Sequence, residues 1–342
     1  MGVNLTPIIV KRVTTLEALT DRSMAVDAFN VLHQFLALIR TRDGSPLSDR
    51  QGRVTSHLVG LVFRTTRLIS DYRMRPVFVF DGEPPKLKRG EVERRRQRRA
   101  QAEEEYHEAM EAGDHATAFS KAVQTGRLTG GMIEDSKKLL DLLGVPWVQA
   151  PGEGEAQAAH MARAGDVWAA SSRDYDSLLF GTPRLLRYLT IQGQEWLPSQ
   201  GRARKLEPEI IDLEVFLGIR GITREQLIDL SILIGTDFND GIKGIGPKTA
   251  LRLIKEHGSL EGVPGELAAR LPKDYPEIRR IFLEPDVTDE YSVAIDDLDE
   301  RGLYAFLCGE RAFSRRRVET VVERVKRARR QRSLSDWFGG GR

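Results

Sequence analysis

The sequence predicts an α/β fold: a central, mostly parallel sheet flanked by helices, with a projecting helical insertion and a C-terminal helical region carrying a helix-hairpin. Three observations carry that reading. Short apolar runs at 24–26, 77–80 and 167–170 alternate with helix-length segments, the rhythm of βαβ units. Each run leads into an acidic residue, and open parallel sheets bind their ligands outside the carboxyl ends of the strands. Beyond Asp212 the strand-like runs cease and the chain reads as largely helical. A chain of 342 residues can bury a large core or split into two lobes.

The elements follow in order. Residues 24–29 read as a first strand and 31–39 as a mostly apolar helix. The connection Asp43-Gly44-Ser45-Pro46 leads to a helix at about 56–70, and Pro76 opens a second strand that closes on Asp81-Gly82. From 83 to 131 the rhythm breaks. Pro84-Pro85 precedes a highly charged, helix-favouring stretch with only a thin apolar stripe (Tyr106, Ala109, Met110, Ala118, Phe119, Val123), as expected of a mobile helical insertion. The alternation resumes with a helix at 136–143, a strand at 146–149, a helix at 153–164, and strands at 167–170 and 185–189. Residues 331–342 read as an unstructured tail with two aromatics, and no internal repeat is evident.

Apolar residues make up 40% of the chain and charged residues 30%, as in a soluble protein. No apolar stretch approaches the roughly 20 residues that span a membrane. The start lacks a signal-peptide pattern, and Cys308 stands alone, which excludes an internal disulfide and a cysteine zinc cluster. An intracellular protein is expected. Met1-Gly2-Val3-Asn4-Leu5-Thr6 fits the loose myristoylation pattern. The alternative is that Gly2 lets the N-terminus approach a crowded site. The net charge of +2 hides basic runs at 86–99 and 311–332, which suit a partner rich in phosphates.

Asp27, Asp81, Glu153, Glu155, Asp174, Asp176 and Asp237 therefore form a candidate pocket of seven carboxylates. Glu153 and Glu155 follow Pro151-Gly152, where a first helical turn can aim both at one point. Acidic residues there also serve as ordinary helix-dipole partners, and Asp174-Tyr175-Asp176 carries the same ambiguity as an N-cap. Seven close carboxylates cannot all ionise without cations. Two Mg²⁺ would neutralise four charges and clamp a phosphodiester. Lys88 and Arg95, seven apart at the root of the insertion, can share one helix face beside it. Gly241-Ile242-Lys243-Gly244-Ile245-Gly246-Pro247-Lys248 reads as a hairpin offering backbone N–H groups and a helix N-terminus to a phosphate, with carbonyls able to hold a monovalent cation. Gln331, Leu334, Trp337 and Phe338 suit a short turn docking into a partner's groove.

These strings resemble a flap endonuclease of the archaeal and eukaryotic type, within the XPG nuclease family: Ala25-Val26-Asp27-Ala28-Phe29, Val79-Phe80-Asp81-Gly82-Glu83-Pro84-Pro85, Gly152-Glu153-Gly154-Glu155-Ala156, Asp174-Tyr175-Asp176-Ser177-Leu178 and Gly235-Thr236-Asp237. The resemblance covers essentially the whole chain. It implies an N-terminal nuclease region at 1–98, an arch at 84–131 and an internal nuclease region at 116–258 with its hairpin motif at 237–257. A C-terminal helical region at 259–328 and a clamp-binding peptide at 330–338 would follow.

The implied activity is a 5′-flap endonuclease with associated 5′–3′ exonuclease activity, acting in Okazaki-fragment maturation and base excision repair. The resemblance makes the seven carboxylates ligands of two Mg²⁺, with Mn²⁺ able to substitute. It makes Lys88 and Arg95 the pair on the scissile phosphate, and Lys243 and Lys248 part of a duplex grip that includes K⁺. Arg40, Thr55, Arg311 and Phe313 would bind a one-nucleotide 3′ flap. Arg64, Gly235, Glu153 and Asp237 match further substrate-contacting positions. The implied partners are 5′-flap and nicked DNA and a sliding clamp of the proliferating cell nuclear antigen type, met by a monomeric nuclease, cytoplasmic in an archaeon and nuclear in a eukaryote. His33 departs from the family, standing where a tyrosine commonly stacks on a base; imidazole offers a smaller face and, charged near neutral pH, would make substrate positioning pH-sensitive. Alternatives are an exonuclease or junction-resolving member of the family, and a non-catalytic clamp adaptor, which would lack some of the acidic residues.

Overall fold

The computed structural model describes residues 2–41, 44–114, 117, 121, 126–190, 193–197 and 202–339. Its main sheet has seven strands in the order β1-β9-β6-β5-β2-β3-β4. These are β1 (Arg12–Val13), β2 (Ser23–Asp27), β3 (Arg75–Phe80), β4 (Trp147–Gln149), β5 (Ala169–Ser171), β6 (Arg184–Arg187) and β9 (Glu209–Asp212). Strands β6, β5, β2, β3 and β4 run parallel, and β9 and β1 close one edge antiparallel. The expected mostly parallel sheet is therefore present. Strands β1 and β9, and a separate hairpin of β7 (Gly193–Leu197) with β8 (Arg202–Leu206), carry no apolar alternation strong enough to have been read as strands.

Side-chain alternation along the strands builds two cores. Met24, Val26, Phe78 and Phe80 face α1 (Ala28–Leu38), α2 (Ser56–Tyr72) and the long C-terminal helix Arg315–Gly339. Ala25, Val77, Val79 and Ala170 face the helix Gly154–Ala164 through Ala158, Met161 and Ala162. A third cluster joins the N-terminal segment to the helices Arg224–Ile234, Pro247–His257 and Tyr275–Leu283.

Several boundaries differ from the sequence reading. The first strand stops at Asp27, because that side chain accepts the Asn30 N–H and starts α1 three residues early. The helix expected from 136 begins at Gly130, where Thr129 caps it by accepting from Met132 N–H and so outweighs two poor helix formers. The tail is not irregular: helical backbone runs through to Gly339. Val318, Val321, Val322, Val325 and Ala328 form a buried stripe that nucleates this helix, and no proline or glycine follows until Gly339. The charged insertion holds α3 (Arg89–Glu111), and among its described residues only Glu91, Ala102 and Ala109 are buried. Ala118, Phe119 and Val123 lie outside the described residues. Among the described residues no helix is long and apolar enough to cross a membrane.

Candidate active site

The chain returns from β4, at one edge, to β5 beside central β2, so the strand order reverses between β2 and β5. The crevice above such a reversal is where doubly wound sheets hold ligands. Asp27 stands at the β2–α1 junction, and Asp81 one residue past β3. Asp81 Oδ1 accepts the Gly154 N–H at 2.7 Å. A Cβ at residue 154 would lie 2.5 Å from that oxygen, so only glycine lets the helix start close on the carboxylate. Glu153 occupies the N-cap position of this helix without a side-chain capping bond, and Glu155 lies in its first turn; both line the same space, as expected.

Asp174 and Asp176 follow β5. Asp176 Oδ1 accepts the Val3 N–H at 2.7 Å, and a Cβ on Gly2 would sit 2.7 Å from both Asp176 oxygens. The close-approach reading of Gly2 fits this geometry. Asp237 follows the helix Arg224–Ile234.

All seven carboxylates line one cavity of about 670 Å³, together with Lys88, Arg95 and His33. Lys88 Nζ pairs with Glu153 and lies 3.5 Å from Asp237, which Arg95 Nη2 meets at 2.6 Å. Burial first, and then the charges of Asp81 and Asp174, push Asp27 up to about 8. Burial and Glu153 raise Asp81 to about 6, against the pull of Lys88. Burial with Asp237 and Asp174 raises Asp176 to about 7, and burial with Asp176 and Asp27 lifts Glu155 well above the usual range. Burial would raise Asp237 as well, but Lys88 and Arg95 hold it below its ordinary value. Asp27, Asp81, Glu155 and Asp176 are thus short of compensating positive charge, whereas Asp237 is supplied with it by Lys88 and Arg95.

An all-oxygen, proton-retaining donor set fits hard divalent cations. Among the described residues, however, no three of these side chains converge tightly enough to enclose an ion. The reason is visible in their partners: Asp81 is turned to Gly154, Asp176 to Val3, and Glu153 and Asp237 to Lys88 and Arg95.

His33 corrects one expectation. Burial, with Arg99 and Arg95 nearby, lowers its pKa to about 4, so the ring is neutral near pH 7 and its protonation cannot tune the site there. The other candidates lie elsewhere. Arg40 half-buries against its own loop, donating to the Leu36 and Gly44 carbonyls at 3.1 and 2.7 Å. Thr55 is buried at the start of α2, and Arg311 forms a two-point ion pair with Asp135 at 2.5 and 2.8 Å. Phe313 packs on the core nearby, and Arg53 reaches the Glu310 carbonyl, tying the two loops together. None of these lines the acidic cavity, nor does half-buried Arg64 on α2. Gly235 closes the helix before Asp237, and Lys243 and Lys248 are exposed on the hairpin, where Gly246 caps a helix with Pro247 in its first turn. The side chains of Gln331, Leu334, Trp337 and Phe338 lie outside those described.

Sequence reasoning missed the residues that hold the carboxylates. Ser172 Oγ lies 3.1 Å from Asp27 and 2.8 Å from Glu155, bridging them. Asn30 donates to Asp174 at 3.2 Å and is itself held by Gln34. Their spacing, Asp27 to Asn30 to Gln34 on one helix face, was the available signal. Arg173 and Arg187 also line the cavity, without any comparable pattern.

The chain matches the XPG N-terminal domain over residues 1–102 and the XPG I-region over 144–237. Flap endonuclease 1 of Methanopyrus kandleri is 50% identical over 336 residues, covering 96% of this chain and 94% of that protein. The Aeropyrum pernix protein of that name is 48% identical over 99% of this chain and 100% of its own length. Among solved structures, flap endonuclease-1 from Methanococcus jannaschii is 40% identical and superposes with a TM-score of 0.75, covering 96% of this chain and 98% of that one. The catalytic core of Rad2 in complex with DNA substrate, 24% identical with a TM-score of 0.69 over 94% and 97% of the two chains, shares the fold.

Proposed function

This chain belongs to the flap endonuclease family of XPG-type nucleases, and from that premise we propose that it cuts branched DNA at the base of a 5′ flap by divalent-metal-assisted hydrolysis. The observation that carries the proposal is the single cavity in which seven carboxylates meet Lys88 and Arg95. Asp27, Asp81, Glu153, Glu155, Asp174, Asp176 and Asp237 would hold two Mg²⁺, with Mn²⁺ as a substitute. When bound, such a pair of cations lowers the pKa of water and stabilises the attacking and leaving oxygens of a phosphodiester.

The chain's own residues do the rest. Lys88 and Arg95 pair with Glu153 and Asp237 and, with those carboxylates committed to the metals, would be available to the scissile phosphate. Lys88 suits this role, since Glu153 and Asp237 outweigh its burial and keep it charged. Neutral His33 stacks on the base beside the cut. The arch wall supplies Arg98 and Arg99 to the passing strand. Gly235 and the 241–248 hairpin, with Lys243, Lys248 and a K⁺ ion, grip the duplex backbone. Arg40, Arg64, Thr55, Arg311 and Phe313 receive the upstream end with its 3′ flap. The same site at a nick acts as a 5′–3′ exonuclease, and the 330–338 peptide recruits the monomeric nuclease to a sliding clamp during Okazaki-fragment maturation and base excision repair.

One assay tests the core of this. Labelled 5′-flap, 3′-flap, nicked and single-stranded DNA are incubated with Mg²⁺ or with chelator. Cleavage at the base of the 5′ flap with Mg²⁺ alone is expected. Preference for the 3′-flap substrate, or activity in chelator, would overturn it.

A further inference from the structure

Arg187 is a cation lining a cavity that needs positive charge, yet it touches none of the seven carboxylates in the described contacts. Instead it grips the chain that carries two of them. Its Nε–H donates to the Arg173 carbonyl at 2.9 Å, and Nη1 donates to Tyr175 Oη at 2.7 Å. Arg173 and Tyr175 flank Asp174, and Tyr175 separates it from Asp176. The guanidinium is clasped in turn. It lies 4.2 Å from the Tyr175 ring and 4.8 Å from the Tyr188 ring, while Nη1 also meets Glu209 at 3.2 Å and Nη2 meets Tyr188 Oη at 3.2 Å.

The arrangement is built into the fold. Arg187 and Glu209 are direct cross-strand partners on β6 and β9, and Lys11 holds the other Glu209 oxygen at 2.6 Å. Tyr188 takes a left-handed φ of 61°, a strained conformation for a bulky residue and one that concentrates at functional positions. Arg187 is 8% exposed, Glu209 5%, Tyr175 4% and Tyr188 6%, so the clasp is largely shielded from solvent.

We propose that Arg187 is a positioning residue for cation binding: its fork pins the Arg173–Tyr175 backbone so that Asp174 and Asp176 are presented to the metals at a fixed height above β5. This rests on the metal-dependent reading given above. A point charge cannot replace the fork, because a lysine ammonium cannot hold the carbonyl and the tyrosine oxygen in one plane. Groups that orient metal ligands typically alter metal affinity about 10–100-fold when changed.

The test uses the DNA-free full-length protein and Mg²⁺ itself. Calorimetric Mg²⁺ titrations and melting curves in chelator are compared for wild type, Arg187→Lys and Tyr175→Phe, with single-turnover flap cleavage followed across Mg²⁺ concentrations. Arg187→Lys should weaken Mg²⁺ binding about tenfold, and Tyr175→Phe about threefold. Saturating Mg²⁺ should restore the cleavage rate of both, and flap binding in chelator should stay within about twofold of wild type. Each variant is measured well below its own melting temperature. A lower melting point with unaltered Mg²⁺ affinity would show a merely structural arginine and overturn the proposal. If Arg187→Lys does not fold, Tyr175→Phe alone decides. Wild type that binds no Mg²⁺ would instead refute the metal-dependent reading itself, and this inference with it.

Discussion

Two walls of the acidic cavity are held in opposite ways. The first hangs from the sheet: Asp27, Asp81, Asp174 and Asp176 follow strands whose Met24, Ala25, Val26, Val79, Ala169 and Ala170 are wholly buried. The second is α3, which brings Glu91, Arg95, Arg98 and Arg99 to the cavity while burying only two alanines among its described apolar residues. Packing fixes the first wall whether or not its charges are content. The cost appears in the raised pKa values of Asp27, Asp81 and Asp176. The second wall is positioned by charge, through Arg95 on Asp237 and Arg94 on Asp240. A rigid acceptor faces a wall whose attachments to it are ion pairs that salt, cations or phosphate can loosen.

Damage to the rigid wall should cost most. Asp176→Ala should lower single-turnover cleavage by on the order of 10³-fold or more, since lost electrostatic stabilisation at a reacting phosphate is of that size. Flap binding, carried by basic surfaces elsewhere, should persist in a gel-shift or anisotropy measurement. Loss of both together would mean that Asp176 supports the fold more than the chemistry.

Damage to the charge-held wall comes next. Arg95→Ala should slow cleavage at saturating flap DNA by about 10²-fold. It should also leave Asp237 with Lys88 as its nearest described cation. A variant that raised only KM would place Arg95 in substrate capture and remove it from the reaction.

The contrast has a thermodynamic signature that is smaller but direct. Asp27, Asp81 and Asp176 sit at about 8, 6 and 7 in the folded chain. An unfolded aspartate titrates near ~4. The folded state therefore retains protons that the unfolded state has lost. The stability this provides is fully present below about pH 4 and disappears as pH rises through 6 to 8. Melting curves in chelator should fall by several degrees between pH 5 and 8.5, and Mg²⁺ should raise the melting point more at pH 8.5 than at pH 5. A flat profile, or an Mg²⁺ gain independent of pH, would contradict the charge-starved pocket.

The rigid wall was also the legible one. An apolar run leading into an aspartate is a local pattern, and the strand order brings Asp27, Asp81 and the Asp174–Asp176 pair to one crevice. What holds them was not legible: Ser172 bridging Asp27 and Glu155, or Arg187 reaching back to the Arg173 carbonyl, depends on pairings between distant segments. The antiparallel strand β9, which brings Glu209 to Arg187, carries no pattern of its own. The seven-residue spacing of Lys88 and Arg95 suggested a shared face, but not the carboxylates each would meet. At the tail the sequence reading ended the helical region at 328, whereas the backbone of the helix that begins at Arg315 continues to Gly339.

His33 stands between the two walls and gives the smallest expected effect. Its sequence position suggested a titratable stacking partner, whereas burial and the arginines Arg99 and Arg95 hold it at about 4. Its deficit relative to a tyrosine is therefore one of ring area and not of charge. His33→Tyr should keep or modestly improve single-turnover cleavage, within about threefold, because aromatic stacking on a base is worth only ~1–3 kcal/mol in total. The pH profile between 6 and 8 should not change shape, since neither side chain titrates there. A loss of more than about tenfold would mean that the imidazole makes a specific hydrogen bond that a phenol cannot. A profile that moved with the substitution would mean instead that α3 withdraws when DNA arrives, taking Arg95 and Arg99 with it and returning His33 to its ordinary pKa. That outcome would identify the charge-held wall as the moving part of the site.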